Sequence, residues 1–196
     1  MVYVKDYHGD GISFQQSNDV TVRNCISEGN THLGFHPGSG SQRPTLTSNI
    51  ARHNGQDGIF LCWRVKHGKF ENNLLERNGR YGVSIGHKDT DNLIRNNKII
   101  SNAKAGIYFR PETVGMAGHR NTIEQNVIEN NASSGIPISG ATDGVVIRDN
   151  VVNQPATSGV VIESQVGDLN LEGNKIDAAT EVEDKRSDEG PESLVR

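Results

Sequence analysis

The stretch YGVSIGHKDTDNLIRNNKIISNAKAGIYF, Tyr81–Phe109, holds one full period of a repeat. It opens on Gly82-Val83 and closes on Gly106-Ile107, 24 residues later. Between these steps lie three short apolar stretches: Val83-Ser84-Ile85, Leu93-Ile94-Arg95 and Lys98-Ile99-Ile100. Their alternation has period two, which marks strands. No apolar run sustains the i, i+3, i+4 spacing of an amphipathic helix.

The Gly-apolar step recurs at Gly11-Ile12, Gly34-Phe35, Gly58-Ile59, Gly82-Val83, Gly106-Ile107, Gly135-Ile136 and Gly159-Val160. The spacings are 23, 24, 24, 24, 29 and 24. A second column, Asn49, Asn73, Asn97, Asn126, Asn150 and Asn174, keeps the same rhythm, with Cys25 one repeat earlier. A third runs Val22, Leu46, Phe70, Ile94, Ile123, Ile147, Leu171, three residues before the second. Columns in phase over this many repeats specify a solenoid. The fold class is therefore all-β: a single-stranded right-handed parallel β-helix of about seven coils of about 24 residues with an Asn ladder. We number the coils one to seven by their Gly-apolar steps.

The ladder Asn is expected at a sharp turn, in left-handed backbone, with its amide bonding the Asn above and below. Cys25 has neither property, so the ladder is expected to fray there. Asn54, Asn78, Asn102 and Asn131 form a further polar column five residues later. Pro155 replaces it in the sixth repeat, and no Gly-apolar step follows Gly159. The β-helix is thus expected over residues 1–180. Residues 181–196, with six acids and little apolar matter, are expected to form a disordered tail. Residues 1–10 read as the last half of another coil. The expectation is a piece of a longer solenoid, or end-to-end stacking or homo-oligomerisation through that partial coil.

Composition fits one domain with many strands and turns: 196 residues, 22 of them Gly, with 33% hydrophobic content. A net charge of −4 without a basic stripe argues against a nucleic-acid partner. No apolar run is long enough for a membrane span, and MVYVKDYHGD has no leader-like apolar region. Cys25 and Cys62 have no metal-site spacing and are expected as free thiols.

The repeated Gly-Ile-x-apolar, Asn-x-Ile and Asn pattern, over residues 10–178, resembles the parallel β-helix repeats of the pectate-lyase-like superfamily. The segments GFHPGSGSQRP and GHKDTDN are similar to site motifs of bacterial right-handed β-helix proteins. The resemblance implies a carbohydrate-facing groove along the first strand of each coil and the loop after it. It also implies a secreted or periplasmic setting. No single enzyme family's catalytic motif is intact, and the superfamily also contains non-catalytic members, so the fold alone does not fix a reaction.

The period turns offsets into neighbours. The outward column of the first strands reads Ser13, His36, Phe60, Ser84, Tyr108, Pro137, Val161. Two places further it reads Gln15, Gly38, Cys62, Gly86, Arg110, Ser139, Glu163. Large reactive side chains gather in coils two to five, whereas coils six and seven carry small or aliphatic ones. Arg64 and Lys88 fall on adjacent coils, which makes Lys88 a candidate base. Arg110 is a candidate to neutralise a sugar carboxylate, and Tyr108 or His87 to protonate a leaving oxygen. Trp63 offers a flat face to a sugar ring.

His36, Arg64, Asp89, Glu112 and His119 complete the expected substrate-binding set. The five extra residues of the fifth repeat are expected to wall the groove and carry His119 and Arg120 over it. This set suits β-elimination or C5 epimerisation of a uronate in an acidic polysaccharide. It suits hydrolysis less well, since that reaction uses two carboxylates. The alternative is a non-catalytic polysaccharide-binding or structural β-helix module. No cofactor is expected, although His87 to Asp91 offers carboxylates to a Ca²⁺ ion.

Overall fold

The computed structural model describes residues 1–186. It is a right-handed parallel β-helix of about eight turns, and the described residues contain no α-helix. Each coil contributes three short strands to three parallel faces. In coil four these are Val83–Ile85, Leu93–Arg95 and Lys98–Ile100. Every strand pairs in parallel with its equivalent in the coils before and after: Val83 with Ile59 and Ile107, Ile94 with Phe70 and Ile123, Ile99 with Leu75 and Ile128. The second-strand face has seven strands. The other two faces merge into one sheet through the long strand Val151–Ile162, which runs around the corner between them.

The core is a stack of like residues. Leu46, Phe70, Ile94, Ile123 and Ile147 lie above one another with no exposed surface, as do Ile59, Val83, Ile107 and Ile136 on the first-strand face. The Gly column has a steric cause. A Cβ on Gly34, Gly58, Gly82, Gly106 or Gly135 would lie 2.5–2.8 Å from the carbonyl oxygen of the corresponding Gly one coil on. Coils stack there at backbone-to-backbone distance, which only Gly permits.

The Asn ladder is continuous from Asn49 to Asn174. Each Nδ2 donates to the next Oδ1 at 2.9–3.1 Å. It also donates to a carbonyl in the preceding coil, as Asn97 does to Phe70 at 2.8 Å. The left-handed residue is not the ladder Asn, as expected, but its predecessor: Asn24, Ser48, Asn72, Asn96, Gln125 and Asp149 all have φ between 52° and 58°. That turn aims the following Asn inward. Cys25 does not break the ladder, because its backbone amide donates to Asn49 Oδ1 at 3.0 Å and its thiol to the Arg23 carbonyl. The further polar column of Asn54, Asn78, Asn102 and Asn131 extends one coil earlier than read, through Asn30 to Asn54. A short third ladder joins Asn92 to Asn121.

At the amino-terminal end, Tyr3–Lys5 pairs with Ile26–Glu28, in the place of a third strand. At the other end the solenoid runs past residue 180. Lys175–Asp184 is a strand whose second half pairs Val160 with Val182 and Ile162 with Asp184. The register slips by two residues between Gln154 and Ser158, and Glu181 stands where Gly would be. The shortened spacing and the missing Gly hid this turn from the repeat. Of the expected tail, 181–184 is therefore strand, and residues 187–196 lie outside the described residues.

Candidate functional site on coils two to five

Arg110 organises this face. It leaves the end of Ile107–Phe109 and folds back across coil four, where Gly86 leaves it room: a Cβ there would lie 2.7 Å from Arg110 Nε. Its Nη1 donates to Ser84 Oγ at 2.8 Å. Its Nη2 donates to the Leu61 carbonyl at 2.8 Å and to Asp89 Oδ2 at 3.2 Å. The guanidinium also lies 4.6 Å from the Phe60 ring centre. Ser84, in the outward column, is thus buried beneath Arg110. Because these contacts leave the Arg110 side chain only 12% exposed, its expected bidentate grip on a sugar carboxylate meets competition from inside the protein.

Asp89, expected to meet substrate, has no exposed surface. Its turn position holds Ser41, Val65 and Thr142 in other coils. There it accepts from the Val65 and Gly86 amides at 2.9 and 3.2 Å. Burial pushes its carboxyl up to about 7, against the pull of Arg110 and the two amides. Asp91 pairs with Arg120 at 2.7 Å. Among the described residues no three His, Cys, Asp or Glu side chains group so as to hold a metal ion.

His87 is the second centre. Its Nε2 lies 2.8 Å from Glu112 Oε1. Its Nδ1 lies 3.2 Å from Cys62 Sγ and 3.4 Å from Arg110 Nη2. Desolvation, then the Arg110 charge, lowers its pKa below the usual histidine value. Glu112, expected to bind substrate, is thus engaged with His87.

Arg64 and Lys88 are exposed on adjacent coils, and no carboxylate pairs with either among the described residues. Trp63, 49% exposed, tilts against His87 with ring centres 5.6 Å apart. On the opposite flank Tyr108 stacks on Tyr81 at 4.3 Å, and Lys104 Nζ lies 5.6 Å from the Tyr81 ring centre. Burial raises the Tyr108 pKa, so its phenol keeps its proton at neutral pH. His36 is fixed by Asp10 at 2.8 Å and meets Phe60 edge-on at 5.5 Å.

The insertion does not bring its cations over the face. His119 turns back to the Val114 carbonyl at 2.7 Å, Arg120 goes to Asp91, and the Met116 carbonyl accepts from the Lys88 amide. Its first residues do form a wall. Pro111, Glu112 and Thr113, with Ser139, Gly140 and Glu163 of the next two coils, line an open cleft of about 430 Å³. This concavity lies beside coils five to seven and shares Glu112 with the reactive patch. Cys62, Phe60 and Tyr81 were not among the expected site residues. For Cys62 the signal is a step of 25, not 24, to His87 and on to Glu112.

A model described as a right-handed β-helix region matches residues 2–118 and 111–183. The chain belongs to the right-handed β-helix family. Among curated proteins it is similar to mannuronan C5-epimerase AlgE5 of Azotobacter vinelandii, with 27% identity over 126 residues. That match covers 64% of this chain and 12% of the epimerase. AlgE3 of the same organism is 32% identical over 89 residues, covering 45% of this chain and 5% of that protein. The chain thus spans a small part of these relatives. Of solved structures, the periplasmic alginate epimerase AlgG superposes with a TM-score of 0.71 at 15% identity, over 88% of this chain and 50% of that one. An alginate lyase from Paenibacillus sp. str. FPU-7 gives 0.68 at 16% identity, over 88% and 75%. At these identities the structural likeness establishes the fold. No helix among the described residues is long and apolar enough to cross a membrane.

Proposed function

We propose that this β-helix binds an acidic polysaccharide across the first-strand face of coils two to five and acts on it as a lyase or C5-epimerase. The observation that carries this reading is the pair of exposed cations, Arg64 and Lys88, with no carboxylate partner among the described residues, beside the exposed Trp63. Two cations one coil apart suit a chain of carboxylates, and an indole offers its face to a pyranose ring. The named activities of the epimerase relatives give the same substrate class. In this reading Lys88 and Arg64 meet the uronate carboxylate at the surface. Arg110 holds the field beneath, Lys88 in its free-amine form takes the C5 proton while Arg64 stays on the carboxylate, and the protonated phenol of Tyr108 gives a proton to the leaving oxygen or to the other face of C5.

The test is incubation with polymannuronate, polygalacturonate and a glycosaminoglycan. Absorbance of the unsaturated product reports elimination, and proton NMR reports inversion at C5. Activity lost in Tyr108→Phe and Lys88→Ala supports the assignment; activity retained in both rejects it. The non-catalytic reading is favoured by one observation, the internal commitment of Arg110. Tight binding with no product on any of these polymers selects it.

A further inference from the structure

We propose that Cys62, His87 and Glu112 form a thiol–imidazole–carboxylate relay that takes an acyl group from a carboxylic ester, the natural source being an ester on a sugar hydroxyl. This chemistry is separate from elimination or epimerisation. Only the identity of the natural ester rests on the polysaccharide reading.

The three residues step across three adjacent coils. Glu112 Oε1 lies 2.8 Å from His87 Nε2, and a carboxylate only accepts, so Nε2 carries the proton. The unprotonated Nδ1 then faces Cys62 Sγ at 3.2 Å, with the thiol as donor. A nucleophile, a base within reach and a third group orienting the base is the arrangement that activates thiols and hydroxyls. The neighbourhood of Cys62 fits the task. Its column neighbours are Gly38 and Gly86: Gly38 brings no side chain of its own beside Cys62, and the space above Gly86 is taken by the Arg110 side chain. Arg110 Nη2 reaches the same imidazole nitrogen at 3.4 Å, and its positive charge favours the thiolate that forms as Cys62 gives up its proton. Cys62 is half-buried and free.

Burial pushes the thiol up to about 11, so it rests protonated and His87 must take the proton as sulfur attacks. In the first half-reaction the S–H proton passes to Nδ1, sulfur bonds the carbonyl carbon, and the C–O bond breaks. The departing alkoxide or phenolate takes the proton back. In the second half-reaction water, losing a proton to Nδ1, attacks the thioester. A carboxylic acid leaves and the thiol is restored. No oxidant or co-reactant other than water is needed.

The experiment uses p-nitrophenyl acetate, which has no uronate, so its outcome is independent of polysaccharide binding. The full chain is acid-quenched and mapped by peptide mass spectrometry. The expected result is an acetyl thioester on Cys62 and none on Cys25. His87→Gln is expected to slow its formation roughly 100-fold. Glu112 acts through His87 as a positioning residue. Its charge raises His87 basicity, so Glu112→Gln is expected to move the acid limb of the pH–rate profile to lower pH. The groups facing His87 in that titration are Cys62, Arg110 and Glu112, with Asp89 behind Arg110. Circular dichroism of each variant confirms the fold. No adduct on Cys62, equal labelling of Cys25, or undiminished labelling in folded His87→Gln overturns the proposal.

Discussion

Arg110 places Nη2 3.2 Å from Oδ2 of Asp89, and the Asp89 side chain is wholly out of water. The pair is the internal scaffold of the reactive face, and it has a pH signature. Burial raises the folded-state pKa of Asp89 to about 7, from an ordinary value of 3.8. Between those values the folded protein holds a proton that the unfolded chain releases. Stability from this group therefore falls as pH rises from about 4 to about 7. The difference in urea midpoint between wild type and Asp89→Asn is expected to change across that window, with wild type losing ground towards neutral pH. A constant difference would show that Asp89 does not titrate there.

The Asn ladder is expected to be costly to interrupt. Asn97 donates to Asn126 Oδ1 and the Phe70 carbonyl, and accepts from the Asn73 amide and side chain. Asn97→Ala leaves several of these buried groups unpaired. The expected loss is about 2–4 kcal/mol of unfolding free energy by chemical denaturation.

Two glycines make an internal comparison. A Cβ on Gly82 would lie 2.3 Å from Ile99 Cγ2 and 2.7 Å from the Gly106 carbonyl, while one on Gly115 would meet nothing within 4 Å. Gly82→Ala is expected to lower stability by about 1–3 kcal/mol through overpacking. Gly115→Ala is expected to leave it within about 0.5 kcal/mol of wild type. Thermal melts of the two variants check this.

The architecture was legible because stacking repeats the same physical demand in every coil. Gly82 must be Gly for the same steric reason as Gly58 and Gly106, and Asn97 must be Asn for the same bonds as Asn73. Where a demand is met by backbone the signal fades: Cys25 joins the ladder through its amide, and the last turn replaces Gly with Glu181. The site was half legible. Column arithmetic gathered His87, Arg110, Trp63, Arg64 and Lys88 on one face. It could not show that Arg110 folds back over Gly86 to Leu61, 49 positions earlier in the chain, or that Asp89 turns inward. Cys62 reads as a plain free thiol, because Cys62, His87 and Glu112 climb diagonally and no single column contains all three.

Trp63 separates binding from chemistry. It is exposed, and its ring contact is with His87. Trp63→Ala is expected to weaken polysaccharide affinity about tenfold by calorimetry, a loss of about 1.4 kcal/mol. The rate of Cys62 acylation by a small ester is expected to stay within about threefold of wild type. Equal losses in both would mean that Trp63 serves the centre itself.

Binding of an acidic polymer to coils two to five, as proposed, rests on Arg64 and Lys88. Its most direct test is the affinity of an acidic oligouronate for wild type and for Arg64→Ala/Lys88→Ala, measured by calorimetry at low and high salt. The expected result is a loss of about tenfold or more in the double variant, together with a shallower salt dependence. A neutral oligosaccharide of the same length is expected to bind neither protein. Unchanged affinity and salt dependence in a folded double variant would rule out this mode of binding.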